Sequence, residues 1–313
     1  MRRLCSTKKL TREEWLAFRK KGIGGSDIAA IAGLNPYSSP LAVYLDKTSD
    51  GGLVIEENDA MRWGNILEPV VASEFAKATG FKVRRENAIL EHDEYHWALA
   101  NIDRSVLSEE GRGVLECKTA GFMSSGKWAD DKIPDAYLIQ VLWYLGVTGY
   151  KYGYIACLIG GQKFTYQRID RDEEAIADLL TIGKAFWERH VLPRVPPPMD
   201  GSDAATQWLK KTFAESVDTG GIEVPEAQPW VERYQQVSAK IKELEGEKNL
   251  AANNIKNLMR ENKYIFCGDC QPTWQTITMN KFDESQFKKD HPDLYAKYVA
   301  EKSQRRFSIN KRR

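Results

Sequence analysis

The sequence predicts an α/β protein with a second, smaller region after residue 221. Its 313 residues are enough for about two domains. Patterns typical of helices and of strands alternate along roughly the first 190 residues, as in proteins whose central sheet is flanked by helices. From Trp230 onward, apolar residues instead recur at alternating steps of four and three, which indicates one long helix.

Helical signals occupy the beginning of the chain. Thr11 is a predicted N-cap, with Glu14 completing a capping box, for a helix that extends to Lys21. Glycines then interrupt the chain, and Ser26 or Asp27 begins a short helix that ends before Asn35-Pro36. A further helix is predicted over residues 65–79, because the glycine that follows readily adopts the left-handed conformation found at helix ends.

Strands and helices alternate from residue 81 to residue 190. Short runs of apolar and β-branched residues, separated by glycine-containing turns, indicate strands and hairpins there. The predicted order is a strand over 81–90, a hairpin of strands 96–102 and 113–119 with its turn at 108–111, a helix over 134–147, a hairpin of strands 152–159 and 163–169, and a helix over 172–190.

The C-terminal region is predicted to be an accessory α+β domain over residues 221–313, behind a polar linker over 200–221. Its long helix carries a heptad seam, defined as Trp230, Tyr234, Val237, Ile241, Leu244, Lys248, Ala251, Ile255 and Leu258. Packing of this helix on its own domain, or in a helical hairpin, is favoured over an oligomerising coiled coil, because Trp and Tyr are unusual in the seam of a tight dimer. Short strands are predicted at 274–279 and 306–310, next to small helices.

The overall charge is almost zero, with 45 basic and 44 acidic residues. The chain therefore lacks the strongly basic composition that points directly to nucleic acid, and any DNA contact has to be local. One candidate is the tail, which contacts DNA phosphates or is simply solvated, with both interpretations open. The basic residues of this tail are Lys302, Arg305, Arg306, Lys311, Arg312 and Arg313.

The sequence contains no signal for a membrane or for export. No apolar run approaches the roughly 18–20 residues of a membrane span, and no apolar segment follows the basic N-terminus. Five sparse cysteines then indicate reduced thiols in a cytoplasm. Cys267 and Cys270 form a CxxC pair, but without a second pair nearby two ordinary thiols at a turn are favoured over zinc.

The residues with the clearest chemical signal are Asp103, Glu116 and Lys118. Glu116 and Lys118 are two residues apart in a predicted strand and therefore share a face, whereas Leu115 and Cys117 point to the opposite side. An antiparallel hairpin brings Asp103 beside them. Two carboxylates with a lysine suit Mg²⁺ and the activation of water. A solvated salt bridge is the alternative, but the apolar residues on both strands indicate a buried hairpin, where charges need partners or metals.

Two helices add polar residues to this set. Glu68 lies early in the helix over 65–79, where a carboxylate either serves chemistry or merely favours the positive end of the helix dipole. Gln140 shares a helix face with Tyr137 and Tyr144. Its amide needs a polar partner, and a reacting water or phosphate is as good a candidate as a neighbouring strand.

A phosphate-binding turn is predicted near residue 25. Gly24, Gly25 and Ser26 stand at a helix start, where backbone N–H groups and a hydroxyl can bind a phosphate together with the guanidinium of Arg19. The segment is not a Walker loop, because no Gly-Lys-Ser/Thr follows.

Several of these motifs occur together in an order typical of one family. Arg19 with GIGGSDIAAIAGLNPY, then WGNILEP, ANIDRSV, LECKT and YLIQVLWYLGV, resembles the YqaJ-like viral recombinase family over roughly residues 11–170. That family is related to phage lambda exonuclease within the PD-(D/E)XK nucleases. The resemblance implies a restriction-endonuclease-like α/β core in a nuclease domain over 1–205, with a central mixed sheet flanked by helices.

The resemblance also implies a role for each matching residue. Asp103 and Glu116 match the carboxylates that bind metal, with the Cys117 carbonyl completing one shell. Lys118 matches the catalytic lysine. Glu68 matches a residue that binds the second metal or its water, and Gln140 matches one that orients the attacking water. Arg19 and Ser26, with the turn at Gly25, match the residues that bind the terminal 5′-phosphate. Tyr137 and Tyr144 match further DNA contacts.

The function implied is an exonuclease that requires Mg²⁺, or Mn²⁺ in its place, with two ions per site. It degrades one strand of linear duplex DNA from 5′ to 3′ and leaves 3′ single strands for a RecT or Red-beta type annealing protein. Such enzymes commonly form a homotrimer, and a phage or prophage origin in a bacterial cytoplasm is expected. The alternatives are an endonuclease of the same superfamily and a non-catalytic DNA-binding or assembly protein. The C-terminal region exceeds the compact lambda-type enzyme, so a ring built in the same way is not assumed.

Overall fold

The structure is a computed structural model that describes residues 1–49, 58–128, 132–218, 221–300 and 305–310. The chain divides into two compact units, Met1–Leu209 and Lys210–Arg313. In chain order the elements are β1 (Arg2–Ser6), α1 (Arg12–Arg19), α2 (Gly25–Ile31), α3 (Pro40–Thr48), α4 (Asp59–Thr79), β2 (Lys82–Arg85), β3 (Ala88–Glu91), β4 (Leu99–Ala100), β5 (Arg104–Ser108), β6 (Gly111–Ala120), α5 (Asp135–Thr148), β7 (Tyr152–Ile159), β8 (Lys163–Asp170), α6 (Glu173–Phe186), α7 (Asp203–Thr212), α8 (Gln228–Met259), α9 (Glu284–Asp290) and α10 (Pro292–Tyr298).

A mixed five-stranded sheet forms the centre of the first unit. Its strand order is β2-β5-β6-β7-β8, in which β6 and β7 are parallel and every other neighbouring pair is antiparallel. Helix α5 lies in the connection between the two parallel strands, which cannot be joined by a tight turn. The predicted α/β class, with a central mixed sheet flanked by helices, is confirmed.

The two faces of this sheet pack against different helices. Because side chains alternate along a strand, Leu115 and Cys117 of β6 lie on one face, in a cluster with Phe75 of α4. Val114 lies on the other face, in the cluster that contains Val141 of α5. Glu116 and Lys118 therefore face the α5 side, as the spacing predicts, and the functional groups of β6 lie between the sheet and α5.

A second sheet explains why one predicted strand is two. The segment over 81–90 divides into β2, which joins the five-stranded sheet, and β3, which pairs with β1 and β4 in a three-stranded antiparallel sheet. The chain passes from one sheet to the other at the polar pair Glu86-Asn87. Strand β1 lies in a segment for which no element was predicted.

The first strand of the predicted catalytic hairpin was also misplaced. Residues 99–100 pair with β3, and the strand that pairs with β6 is β5, which begins directly after Asp103. Only Val106 and Leu107 are apolar in β5, so the alternation that marks a strand is weak there. Asp103 consequently lies at the junction between strands of two sheets rather than at the end of one.

Four helices of the first unit, α1, α3, α4 and α6, begin directly after a residue whose side chain caps them. The Thr11 side chain accepts the N–H of Glu14, and the Glu14 carboxylate accepts the N–H of Thr11, so the predicted capping box is present. Helix α4 begins at Asp59, six residues before the predicted start at Asn65, because the Asn58 side chain caps it. Helix α3 was not predicted, although Ser39 caps it and Pro40 occupies its first turn.

The C-terminal unit is dominated by α8, the predicted long helix. The predicted linker over 200–221 contains a helix, α7, so its linker assignment is wrong for those ten residues. Within the described residues no strand forms at 274–279 or 306–310, so the strands predicted there are absent. Two isolated β-bridges in this unit, between Tyr264 and Thr273 and between Cys267 and Cys270, lie outside both segments. One bridge joins Cys267 and Cys270, whose backbones exchange hydrogen bonds of 2.9 and 3.0 Å across a two-residue turn.

The seam of α8 is not covered within the described residues. Every apolar seam residue from Trp230 to Leu244 is exposed, and so are Ile255 and Leu258. The favoured interpretation, packing of this helix on its own domain or in a helical hairpin, is met among the described residues by the contact between the rings of Tyr234 and Phe307, while much of the seam surface stays exposed.

Two other predictions concern the surface of the chain. Arg305 and Arg306 of the basic tail are exposed, and Lys302 and residues 311–313 lie outside the described residues. None of the described helices combines the length and the apolar character that crossing a membrane requires.

Candidate active site

Asp103, directly before the start of β5, lies beside Glu116 in the middle of β6. The strand register that pairs Arg104 with Leu115 places Asp103 next to Glu116, and the Cys117 N–H donates a 2.9 Å hydrogen bond to Oδ2 of Asp103. Glu116 is buried, with 3% of its surface exposed. Its Oε1 accepts two hydrogen bonds, whereas its buried Oε2 has no protein partner.

Lys118 and Gln140 form a closed network with Glu116. Lys118 Nζ donates to Glu116 Oε1 at 2.7 Å and to Gln140 Oε1 at 3.1 Å, and Gln140 Nε2 donates to the same Glu116 oxygen at 2.7 Å. The ammonium also lies 4.8 Å from the ring centroid of Tyr137. The structure thus brings together residues from β6 and α5 that the sequence indicated separately.

Tyr144 supports this network from within the core. Its hydroxyl accepts a 2.9 Å hydrogen bond from Gln140 Nε2, and its ring is buried. Burial, and then the negative charges of Glu116 and Asp103, hold the pKa of Tyr144 well above its usual range. Tyr144 therefore positions Gln140 instead of offering a ring to DNA, the role suggested by the sequence. Tyr137 is only partly buried.

Neighbouring carboxylates and burial raise the proton affinity of Asp103. Burial, followed by the charges of Glu116 and Glu68, raises the pKa of Asp103 well above its usual value, although Lys118 and the Cys117 N–H act in the opposite direction. Burial alone lowers the pKa of Lys118, but the attraction of Glu116 and Asp103 outweighs it and raises that pKa. Lys118 is therefore an ammonium ion at neutral pH.

Glu68 approaches this site from α4 but is held by Arg104. The Arg104 guanidinium forms a close ion pair with Glu68 and donates a 2.8 Å hydrogen bond to the Asp103 carbonyl oxygen. Arg104 is 7% exposed, so this pair is largely buried. Arg104 was not predicted as a site residue, although a charged residue directly after Asp103 in a buried hairpin needs a charged partner. Ile66 and Val70 of α4 are exposed, whereas Val71 and Phe75 of the same helix are buried.

The oxygen donors fit a hard divalent cation. Two neighbouring carboxylates, one with an unpartnered buried oxygen, provide the charge and the ligand type that Mg²⁺ prefers. The Cys117 thiol is excluded as a ligand, because it belongs to the apolar cluster on the opposite face and burial raises its pKa. Within the described ranges no group of three or more His, Cys, Asp and Glu side chains is preassembled for a metal, since Glu68 is paired with Arg104.

A second polar cluster surrounds Arg19 at the start of α2. Arg19 Nη2 donates to Ser26 Oγ at 3.2 Å and lies 3.4 Å from Oδ1 of Asp27. The other carboxylate oxygen of Asp27 accepts the Gly24 N–H at 2.9 Å and the Lys47 ammonium at 2.7 Å. Burial raises the pKa of Asp27, but the charges of Lys47 and Arg19 outweigh it and lower that pKa.

This second cluster presents Arg19 and Ser26 on a buried support. The Lys47 side chain is fully buried and also donates a 3.2 Å hydrogen bond to the Arg19 carbonyl oxygen. Arg19 and Ser26, in contrast, retain exposed surface. Sequence reasoning missed the supporting roles of Asp27 and Lys47, because α3, which carries Lys47, was not predicted.

Gly25 connects the two clusters. A Cβ atom at this position would lie 2.7 Å from Tyr144 Cε1 and 2.8 Å from Gln140 Cγ, so only glycine permits α2 to approach α5 this closely. The backbone of the predicted phosphate-binding turn therefore packs directly on the residue that positions Gln140.

Replacing Gly25 with alanine should destabilise the protein by about 1–3 kcal/mol, because the new methyl group overpacks this contact. The melting temperature measured by circular dichroism should fall by at least about 2 °C. Gly121→Ala is the matched control, since no atom lies within 4 Å of its added Cβ. Equal melting temperatures for the two variants would show that α2 and α5 do not pack as described.

Comparison with known proteins gives one family match and one close relative. Residues 14–151 match the YqaJ-like viral recombinase domain. The YqaJ protein of Bacillus subtilis (strain 168) is 39% identical over 309 residues, which cover 98% of this chain and 96% of that protein.

Two solved structures are also similar to part of the chain. An alkaline exonuclease from Laribacter hongkongensis shares 20% identity with a TM-score of 0.48, covering 64% of this chain and 98% of that one. A phage-related exonuclease from Haemophilus somnus 129PT shares 15% identity with a TM-score of 0.43, covering 61% of this chain and 96% of that one.

Proposed function

Because this chain belongs to the YqaJ-like viral recombinase family, we propose that it is a metal-dependent deoxyribonuclease that degrades linear duplex DNA from its 5′ ends. The observation that carries this proposal is the buried network of Asp103, Glu116, Lys118 and Gln140. It combines paired carboxylates, an ammonium and an amide within hydrogen-bond distance, a set that suits metal-assisted hydrolysis of a phosphodiester.

Asp103 and Glu116 would hold the metal ion, Mg²⁺ or Mn²⁺ in its place. The Cys117 carbonyl would complete one shell, and Glu68 would serve a second ion once it leaves Arg104. When bound, the metal supplies positive charge at the scissile phosphate and lowers the pKa of a bound water. The unpartnered Oε2 of Glu116 supports this assignment, because a buried carboxylate oxygen without a donor is costly unless a ligand satisfies it.

Lys118 and Gln140 would position the attacking water. Two of the three ammonium protons of Lys118 are used by Glu116 and Gln140, which leaves one donor for the water or for a phosphate oxygen. Since the pKa of Lys118 is raised, its role is that of a fixed charge and hydrogen-bond donor rather than a neutral base.

Arg19, Ser26 and the Gly25 N–H would bind a terminal 5′-phosphate. A phosphate at the start of α2 would gain a guanidinium, a hydroxyl and the positive end of the helix. The buried Asp27–Lys47 pair would keep the Arg19 guanidinium in place before DNA arrives.

Arg19→Ala should reduce the preference for 5′-phosphorylated over 5′-hydroxyl ends by about tenfold or more, because a charge-assisted hydrogen bond contributes about 1.5–3 kcal/mol. The measurement is the ratio of initial cleavage rates on two duplexes that differ only in the 5′ group. Arg12→Ala removes an exposed arginine from the same helix and should leave the ratio unchanged. An unaltered ratio in Arg19→Ala would remove this role from Arg19.

Several features of the biology go with this proposal. Digestion from 5′ ends leaves 3′ single strands, the substrate of a RecT or Red-beta type annealing protein. Family resemblance suggests a homotrimer of nuclease units acting in the cytoplasm of a bacterial cell that carries a phage or prophage.

The decisive test compares linear and closed circular duplex in time courses with Mg²⁺. Linear DNA labelled at its 5′ ends should lose label immediately, whereas 3′ label should persist in a shortening strand, and the closed circle should remain intact. Cleavage of the circle would identify an endonuclease instead. Absence of hydrolysis with both Mg²⁺ and Mn²⁺ would identify a non-catalytic DNA-binding or assembly protein.

A further inference from the structure

The exposed seam of α8 extends over the whole helix. Its 32 residues span about 48 Å. Apolar residues recur at heptad spacing along this length, and Trp230, Ile241 and Leu258 are 76%, 52% and 73% exposed. An apolar stripe of this length on an exposed helix is typical of a surface that meets another helix.

The buried residues of α8 lie on a different side of the helix from the seam. Met259 is fully buried, and Val231 and Ala252 are partly buried. These three residues follow seam positions by one, so they form a row beside the seam and leave the seam itself open. The contact between the rings of Tyr234 and Phe307, with centroids 5.5 Å apart, leaves half of the tyrosine exposed.

The seam is complementary to itself in the antiparallel direction. When Ile241 faces Leu244 of a second copy, the two helices overlap along almost their full length. Large residues then face smaller or aliphatic ones, because Tyr234 meets the partner's Ala251 and Trp230 meets the partner's Ile255. Lys248, the one charged seam residue, meets the partner's Val237, along which its aliphatic stem can lie while the ammonium reaches solvent.

Charges beside the seam select the same register. In this arrangement Lys240 of each copy lies beside Glu247 of the other, so the interface contains two symmetric opposite-charge pairs. A parallel dimer would instead place Lys248 against Lys248 and Tyr234 against Tyr234 in the core. Like charges in a desolvated seam oppose association.

We infer that α8 mediates self-association, in which two copies of this chain pair their seams as an antiparallel, two-fold symmetric coiled coil. The occupant of the seam is thus a second copy of the same helix. This interface involves only the C-terminal unit, so it does not depend on the proposed nuclease reaction.

Light scattering after size-exclusion chromatography of the full chain tests this inference. The wild type should have a mass that is an even multiple of 35.6 kDa. The double variant Ile241→Ser, Leu244→Ser should have half the wild-type mass with an unchanged helix content by circular dichroism. Gln235→Ser, Ala239→Ser makes the same chemical change away from the seam and should retain the wild-type mass. An odd number of chains in the wild type, or an unchanged mass in the seam variant, would overturn the inference.

A charge exchange tests the antiparallel register. Lys240→Glu should weaken self-association by at least about twofold, because it places two acidic residues together on each side of the interface. Adding Glu247→Lys should restore it, whereas adding Glu245→Lys should not. Lys242→Glu, outside the seam, is the matched control. Restoration by Glu245→Lys in place of Glu247→Lys would identify a parallel dimer and overturn the proposed geometry.

Discussion

Lys118→Ala should reduce the rate of DNA hydrolysis by about 10²–10⁴-fold, the range expected when a positioned proton-transfer or charge group is removed. Lys118 joins Glu116 to Gln140, because its ammonium donates hydrogen bonds to both side chains. Removing it therefore eliminates a donor for the attacking water and also releases Gln140. The measurement is the single-turnover rate on 5′-labelled linear duplex with saturating Mg²⁺.

Folding and duplex binding should survive this substitution. Lys118 is only partly buried at the end of β6, and the apolar residues of that strand are untouched. The control is Lys163→Ala, which removes an exposed lysine from the start of β8 and should cleave at the wild-type rate. If Lys118→Ala cleaves DNA at the wild-type rate and has an unchanged melting temperature, the assignment of the active site is wrong.

Asp103→Asn should slow cleavage about 10³-fold and yet stabilise the metal-free protein at neutral pH. Loss of a carboxylate ligand removes several kcal/mol of metal-derived stabilisation, or about 10³-fold in rate. The asparagine side chain still offers an oxygen to the Cys117 N–H but no longer repels Glu116 and Glu68. A gain of about 1 kcal/mol would raise the melting temperature by about 2–4 °C in a unit of this size.

The sign of the pH dependence follows from the raised pKa of Asp103. The folded protein binds the Asp103 proton more tightly than the unfolded chain does, so this stabilising contribution is complete in acid and is lost as pH rises through the raised pKa. The melting temperature of Asp103→Asn should therefore exceed that of the wild type by an amount that grows with pH. The measurement is thermal unfolding in EDTA.

Added Mg²⁺ should reverse the order of thermal stability, so that the wild type becomes more stable than Asp103→Asn. The wild type should gain more in melting temperature than Asp103→Asn, because only the wild type retains both carboxylates for the ion. A variant that is less stable than the wild type in EDTA at neutral pH would show that Asp103 is not under like-charge repulsion.

The local part of the candidate site could be predicted from the sequence. Strand alternation places Glu116 and Lys118 on one face, and that inference needs only the two-residue period of a strand. The hairpin then brings Asp103 beside Glu116, even though the strand boundary was misplaced. Gln140 was identified by its helix face, but its bond to Glu116 depends on the packing of α5 against β6.

The parts that could not be predicted depend on residues distant in sequence. The pair between Arg104 and Glu68 requires α4 to lie over the sheet, and the pair between Asp27 and Lys47 requires an unpredicted helix. In both pairs a buried charge meets its partner only after tertiary packing, and no local pattern encodes that partner. Capping residues, by contrast, act within three or four positions, and the box at Thr11 was accordingly predicted in full.

The close approach of α2 to α5 at Gly25 has a consequence for the products of the reaction. If Arg19 and Ser26 hold the 5′ terminus as proposed, the separation between that anchored end and the carboxylates is set by two helices in direct backbone-to-side-chain contact. This contact keeps the distance between the bound 5′ end and the carboxylates constant, since neither helix can shift along the other without a clash. Each round of hydrolysis should then release fragments of a single length, regardless of base sequence, and chromatography of the acid-soluble material would show one size class.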